Sequence, residues 1–133
     1  MREVIDTSFW IDYGRGTVAP GEREHVERLW RLGSAILYQF VWLELVVGYR
    51  GPKEQRMLRE YRNICQWEPL VAEDGAKAEA MAGLLRKKGR TVGASDLLIL
   101  AATDRLSARL RHHDSDFAAA LDLPEFAHLR PEA

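Results

Sequence analysis

Blocks of apolar residues with two different spacings follow one another along the chain and predict alternating strands and helices. Short apolar runs predict strands at residues 2–5, 34–38, 66–71, 109–113 and 126–129. Apolar residues at helical spacing predict helices at residues 8–13, 22–32, 39–50, 53–64, 73–88, 96–108 and 115–121. We therefore expect an α/β fold in which three layers, α/β/α, enclose a central parallel sheet of about four or five short strands.

Two of these strands can be assigned positions within the sheet. We expect the first strand, which ends at Asp6, to be the central one. The strand at residues 66–71 contains Pro69, which has no N–H to donate and suits an edge position. Parallel strands buried on both faces are typical of such folds, because helices cover both sides of the sheet.

Composition predicts one globular domain over residues 1–133, long enough to bury roughly two-thirds of the surface of its unfolded chain. The net charge of −1 argues against a strongly basic nucleic-acid-binding protein. If the few acids that cluster together are left out of the count, the net charge of the remaining residues is positive. The basic residues at 86–90 and 105–113 then either form the rim of an acidic pit or lie at solvated helix ends.

Secretion and membrane insertion are not expected for this chain. Charged residues within the first six positions exclude a signal peptide. The longest apolar stretch, 40–49, is far shorter than a membrane span and contains Glu44. Cys65 is the only cysteine, so no internal disulfide can form, and we predict a cytoplasmic location with Cys65 simply packed.

Four carboxylates are candidates for a functional role, although for three of them a local structural role would also explain the presence of an acid. Asp6 follows a strand and could form an Asx turn, and Asp114 follows another strand and could cap the next helix. Asp96 could be a first-turn acid favoured by the helix dipole. Glu44 has no such explanation, because neither end of its apolar helix is close.

The neighbours of Glu44 indicate that its side chain does not lie on a solvated face. Val41, Val47 and Gly48 occupy the positions three before, three after and four after it. No lysine or arginine lies at helical spacing within the same helix to neutralise it. Since buried charges are paired or bind metals, an oxygen-seeking cation is one way to satisfy this acid.

The topology of a parallel sheet brings the four acids together. The C-terminal ends of the strands share one edge, and the helices that begin there point their N-termini at it. Carboxylates without a convincing set of histidines or cysteines favour Mg²⁺ or Mn²⁺ over zinc. Such ions activate water and neutralise charge on a phosphodiester, so the sequence predicts a nuclease whose rim arginines hold the nucleic-acid backbone.

Four short motifs in this order resemble those of the PIN-domain nucleases, and most closely those of the VapC-type toxins. The motifs are Val4-Ile5-Asp6-Thr7-Ser8, Glu44 followed by Gly48, Gly93-Ala94-Ser95-Asp96, and His112-His113-Asp114-Ser115-Asp116-Phe117. Each motif alone is weakly specific, but their order is distinctive and the resemblance covers essentially the whole chain. It departs at His112, where family members often have Thr; a histidine there could donate a hydrogen bond to the acids or simply end the strand.

The resemblance also assigns roles to residues and implies a biological context. The metal-binding acids would be Asp6, Glu44, Asp96 and Asp114, with Asp116 a fifth ligand, and Thr7 or Ser8 would support Asp6 by hydrogen bonding. VapC-like toxins are Mg²⁺-dependent endoribonucleases and typically homodimers. A cognate VapB-like antitoxin wraps the toxin and covers its active site.

Three other functions are open at the level of sequence. One is a PIN-domain nuclease that processes RNA outside any toxin–antitoxin pair, and another is a catalytically inactive PIN-like binding module. The third is a phosphotransferase of the haloacid dehalogenase type, in which an Asp also follows a strand. That mechanism prefers a second Asp two residues later, where this chain has Ser8.

Overall fold

Four short strands form one parallel sheet in the computed structural model, which describes residues 1–131. The strands are β1 (Glu3–Ile5), β2 (Ala35–Tyr38), β3 (Gln66–Glu68) and β4 (Arg109–Arg111). The α-helices are α1 (Thr7–Arg15), α2 (Pro20–Arg31), α3 (Gln39–Gly48), α4 (Gly51–Ile64), α5 (Ala72–Lys87), α6 (Ala94–Arg105) and α7 (Ser115–Leu121). A 3₁₀ helix, Pro124–Leu129, follows them. The predicted three-layer α/β/α fold is confirmed, with four strands.

The order of the strands, β3-β2-β1-β4, determines where a ligand can bind. From β1 the chain crosses to β2 and β3 on one side, and it returns through α5 and α6 to add β4 on the other. The crevice between β1 and β4 is therefore a topological switch point, the usual ligand site of open α/β sheets. Asp6 and Asp114 lie just beyond the C-terminal ends of these two strands.

The apolar runs explain why β1 and β2 form the interior of the sheet. Every residue of both strands is buried, as expected for parallel strands covered on both faces. The predicted central position of β1 and the edge position of β3 are both confirmed. Among the described residues, no helix combines the length and the apolar character needed to cross a membrane.

The prediction of a final strand at 126–129 is wrong, because this segment is a 3₁₀ helix. Pro124 suits the first turn of a helix, where no N–H is required. Phe126 and Leu129 are both buried, and their spacing of three places them on one face of a 3₁₀ helix. The strands predicted at 66–71 and 109–113 are also shorter than expected and end at Glu68 and Arg111.

Buried ion pairs tie helices and strands together beneath the site. The Arg111 guanidinium donates to both carboxylate oxygens of Glu3, at 2.9 and 3.0 Å, so that β4 is joined to β1. Asp74 at the start of α5 is fully buried and accepts from Arg105 Nε at 2.6 Å and from the Tyr38 hydroxyl at 2.7 Å. Such bidentate, hydrogen-bonded pairs are the form in which charges are tolerated in an interior.

Candidate active site

Asp6 lies at the junction between β1 and α1, and its side chain is held by the first turn of the helix. Its Oδ2 accepts from the Ser8 backbone N–H at 3.0 Å and from the Ser8 hydroxyl at 2.6 Å. The local interpretation of Asp6 as a cap is thus correct, and it involves one oxygen of the carboxylate. The residue is only 4% exposed.

Asp114 has the equivalent position at the junction between β4 and α7. Its Oδ1 accepts from the Asp116 backbone N–H at 2.8 Å and caps the helix. Asp96, in the first turn of α6, and Asp116 approach it so closely that one carboxylate oxygen from each of the three lies within 4.8 Å of the others. The N-termini of α6 and α7 thus bring three acids together.

Glu44 reaches the same region from the second turn of α3. The Thr7 hydroxyl donates to Glu44 Oε1 at 2.7 Å, so Thr7 contacts Glu44, whereas the hydroxyl that supports Asp6 is that of Ser8. The expectation that the face of Glu44 is unsolvated is wrong in part: Glu44 is half-buried, and Val47 is 75% exposed. Only one flank of α3 packs against α1, α6 and β2, and Glu44 lies at its border.

The electrostatics of the site reflect its unbalanced negative charge. Burial, reinforced by Asp114, Asp6, Glu44 and Asp116, raises the pKa of Asp96 to about 6. Burial also raises the pKa of Asp6 and of Glu44, although hydrogen bonds from Ser8 and Thr7 oppose the shifts. The charged neighbours that shift the pKa of Asp96 are all acidic, and no described basic side chain forms a salt bridge with these acids.

The two histidines near the site are already engaged and are not free nitrogen ligands. His112 follows directly after the end of β4, its Nδ1 accepts the backbone N–H of Asp114 at 3.2 Å, and its ring lies 5.4 Å from that of Phe117. Burial lowers the pKa of His112 although Asp6 and Asp114 oppose the shift, so the ring is neutral. Carboxylate oxygens are therefore the ligands on offer, and this donor set fits Mg²⁺ or Mn²⁺.

The supporting contacts around His113 were not predicted from the sequence. Its backbone N–H donates to the Ser8 hydroxyl oxygen at 2.9 Å, and its ring nitrogens contact carboxylates of Asp12 at 2.6 Å and Glu22 at 2.5 Å. Burial disfavours the imidazolium, but these two carboxylates outweigh it and raise the pKa of His113. The only signal in the sequence was the position of His113 beside Asp114.

Comparison with known proteins gives the same fold. The family model of the PIN domain matches residues 4–121. A chain of VapBC2 from Rickettsia felis, solved with a DNA fragment from its promoter, is 16% identical with a TM-score of 0.75. The match covers 92% of this chain and 96% of that one. A sequence comparison with curated proteins found no match.

Two further solved structures are similar over most of their length. VapBC-1 from nontypeable Haemophilus influenzae is 24% identical with a TM-score of 0.71, over 92% of this chain and 95% of that one. VapC20 from Mycobacterium tuberculosis, described as a toxin that cleaves the sarcin–ricin loop, is 21% identical with a TM-score of 0.61. That match covers 89% of this chain and 94% of the other. Because the family model spans both strand-to-helix junctions and the start of α6, this chain belongs to the PIN domain family.

Proposed function

We propose that this protein is a VapC-like toxin, an Mg²⁺-dependent endoribonuclease that a cognate antitoxin neutralises. The observation that carries the proposal is the convergence of acids at the switch point, with the pKa of Asp96 raised to about 6. Clustered carboxylates without basic partners destabilise a fold unless a cation joins them. Clusters of acids with raised pKa values are typical of enzyme active sites and are not expected where the residues have only a structural role.

The proposed metal ligands are the residues named from the sequence: Asp6, Glu44, Asp96 and Asp114, with Asp116 as a fifth. Support comes from the 4.8 Å grouping of three of these acids and from the electrostatic coupling of Asp96 to the other four. Mn²⁺ would substitute, since it prefers the same oxygen ligands. A divalent ion bound here would neutralise phosphate charge and lower the pKa of an attacking water.

The remaining residues of the site have positioning roles in this proposal. The Ser8 hydroxyl holds Oδ2 of Asp6, and the Thr7 hydroxyl holds Oε1 of Glu44. The carboxylates of Asp6 and Glu44 are thus each oriented by a hydroxyl in the first turn of α1. Pre-oriented ligands lose little conformational entropy when a cation and a phosphate bind, which is how such sites become efficient.

RNA is the proposed substrate, and basic residues near the acids support it. The exposed segment Arg86–Arg90 ends α5, and the chain then runs directly into α6, where Asp96 lies in the first turn. Because α5 and α6 pack as consecutive helices, this basic segment lies at the same end of the pair as Asp96. Lys and Arg side chains at such a rim attract the phosphate backbone.

An antitoxin partner and a homodimer complete the proposal. The solved structures of similar fold include VapBC complexes from three bacteria, which supports a VapB-like partner for this chain. We still predict that the protein is cytoplasmic, because RNA and a partner of this kind are found in the cytoplasm. A short neighbouring reading frame for a small DNA-binding protein would distinguish a toxin from a PIN nuclease that processes RNA outside such a pair.

Cleavage of RNA by the purified, partner-free protein tests the activity. We expect total RNA to be cut at discrete positions with Mg²⁺ and left intact with EDTA. Asp6→Ala and Asp6→Asn should both be inactive, although Asn caps a helix as well as Asp does, which separates the metal role from the cap. An inert wild-type protein, or an Asp6→Asn variant with full activity, would overturn the proposal and favour an inactive binding module.

A further inference from the structure

A groove of about 370 Å³ leads away from the acids between α1, α3 and α4. Thr7 and Glu44, which share a hydrogen bond, form its end at the site. Arg15 and Lys53 also line it. Since α1 rises about 1.5 Å per residue, the path from Thr7 to Arg15 is roughly 12 Å long. The groove therefore begins at Glu44, one of the five acids, and its length suits a short single-stranded segment.

The distant end of the groove carries two basic side chains that form no ion pair within the described part of the chain. Arg15 and Lys53 are exposed, and neither forms a salt bridge or hydrogen bond with another described residue. Glu54 also lines this end and accepts the Arg50 backbone N–H at 2.8 Å through Oε1, so these three side chains together carry one net positive charge. Two cations are thus left to bind an anion from solution.

The middle of the groove is apolar, and two glycines, Gly14 and Gly48, line it. Ile11 and Met57 are partly exposed there, and Leu45 is buried against them. At Gly14 an added Cβ would lie 2.7 Å from Met57 Cε, so the absence of a side chain there lets α1 and α4 approach. At Gly48 an added Cβ would meet nothing within 4 Å, so a larger side chain would project into open space.

We propose that this groove binds the single-stranded RNA segment that flanks the cleaved phosphate, with the next phosphates held by Arg15 and Lys53. The inference rests on the proposed nuclease function. It follows from the order of chemistry along the groove: a site for one phosphate, an apolar surface for a base, and then two cations for further phosphates. Grooves that bind single strands combine cations for the backbone with surfaces against which the bases pack.

Removal of the two cations tests the phosphate contacts. We compare Arg15→Gln/Lys53→Gln with a charge-matched control, Arg28→Gln/Arg31→Gln, at the exposed C-terminal end of α2. Binding of a fluorescent single-stranded RNA is measured in the cleavage-deficient Asp96→Asn background with Mg²⁺ at several salt concentrations. The slope of log K against log salt should fall by about 1.4 for the groove pair, about 0.7 per lost contact, and not for the control.

Narrowing the groove tests the base-binding surface independently of charge. Gly48→Leu fills open space within the groove, and Gly75→Leu does the same at an exposed position on α5, where an added Cβ also meets nothing within 4 Å. Thermal unfolding verifies that both variants fold. In the active enzyme we expect Gly48→Leu and the Arg15/Lys53 variant to raise KM several-fold with kcat unchanged.

The outcomes separate this inference from the function on which it rests. If the wild-type protein neither cuts nor binds RNA, both the function and the groove assignment fail. If it cuts RNA while the groove variants keep the wild-type KM and salt slope, only the groove assignment fails. Groove variants that cut RNA normally but resist inhibition by a protein partner would also overturn it and give the groove to a peptide.

Discussion

The Ser8 hydroxyl oxygen accepts the backbone N–H of His113 at 2.9 Å and joins the two strand-to-helix junctions of the site. The same hydroxyl donates to Asp6 Oδ2 at 2.6 Å. One side chain therefore connects the carboxylate after β1 to the turn that carries Asp114 after β4. This contact adds to the backbone bond from the Asp6 N–H to the Arg111 carbonyl, at 2.9 Å, in setting the relative position of the two acids.

Removal of the Ser8 hydroxyl should loosen the site more than it destabilises the protein. In Ser8→Ala the backbone N–H still caps Asp6, so we expect the free energy of unfolding to fall by only about 1 kcal/mol. Mn²⁺ affinity should fall on the order of tenfold or more, as for other changes that disorient metal ligands. Ser34→Ala, at the start of β2 and away from the site, should alter neither quantity in urea unfolding and metal titration.

The raised pKa of Asp96 predicts a stability effect that depends on pH. In the folded state the pKa is about 6, above the usual 3.8, so the native protein holds this proton more tightly than the unfolded chain. The contribution of Asp96 therefore becomes unfavourable as pH rises from 3.8 to about 6 and stays so above. Without metal, Asp96→Asn should be more stable than wild type at pH 7.5 and equal to it near pH 3.5.

Urea unfolding at several pH values in EDTA checks this, with Asp122→Asn as a control at an exposed position after α7. The control should show no such gap. Addition of Mn²⁺ at pH 7.5 should stabilise the wild-type protein and leave Asp96→Asn nearly unchanged. A variant that is less stable than wild type at pH 7.5 in EDTA would show that the charge of Asp96 is already compensated within the fold.

Asp74 should matter for stability and not for the chemistry of the site. Burial disfavours its charge, but hydrogen bonds from Arg105, Tyr38 and the Val71 N–H outweigh it and lower the pKa of Asp74. Its stabilising contribution is therefore present above the usual pKa of 3.8 and is lost as pH falls through the lowered value. Because Asp74→Asn removes the closer of the two carboxylates that face Arg105 and leaves only Glu68, 4.0 Å from its Nη1, we expect a loss of about 3 kcal/mol.

Asp104 provides the comparison for Asp74, since it is partly exposed and pairs with Lys77 and His128. Asp104→Asn should cost about 1 kcal/mol or less in urea unfolding. Both variants should keep the Mn²⁺ affinity of the wild-type protein while folded. Equal costs for the two substitutions would contradict the difference in burial from which this prediction derives.

The strands that form the centre of the sheet were predictable because their chemistry is local. Val4-Ile5 and Ala35–Tyr38 are uninterrupted apolar runs, and such runs suit parallel strands covered on both faces. The segment 126–129 was wrongly predicted to be a strand, because Phe126 and Leu129 are apolar at a spacing that fits either a short strand or a 3₁₀ turn. The decisive signal was Pro124, which begins a helical turn more readily than it precedes a strand.

The site was only partly predictable from the sequence. Its acids could be identified from their positions in the sequence, but the residues that contact them are determined by how the helices pack. The pairing of Thr7 with Glu44 depends on how α1 lies against α3, and no local pattern encodes that. The caps at Asp6 and Asp114 were predictable, and they use Oδ2 of Asp6 and Oδ1 of Asp114. His113 links α1 and α2 through Asp12 and Glu22, residues that no motif singled out.

Calorimetric titration with Mn²⁺ tests most directly the central claim, that these acids form one divalent-cation site. The informative variant is Asp114→Asn, because Asn preserves the cap of α7 and removes only the charge and one ligand oxygen. We predict that the wild-type protein and Asp122→Asn bind Mn²⁺ alike, while Asp114→Asn loses more than roughly tenfold in affinity. A wild-type protein that binds no Mn²⁺, or an Asp114→Asn variant that binds it as tightly, would contradict the account.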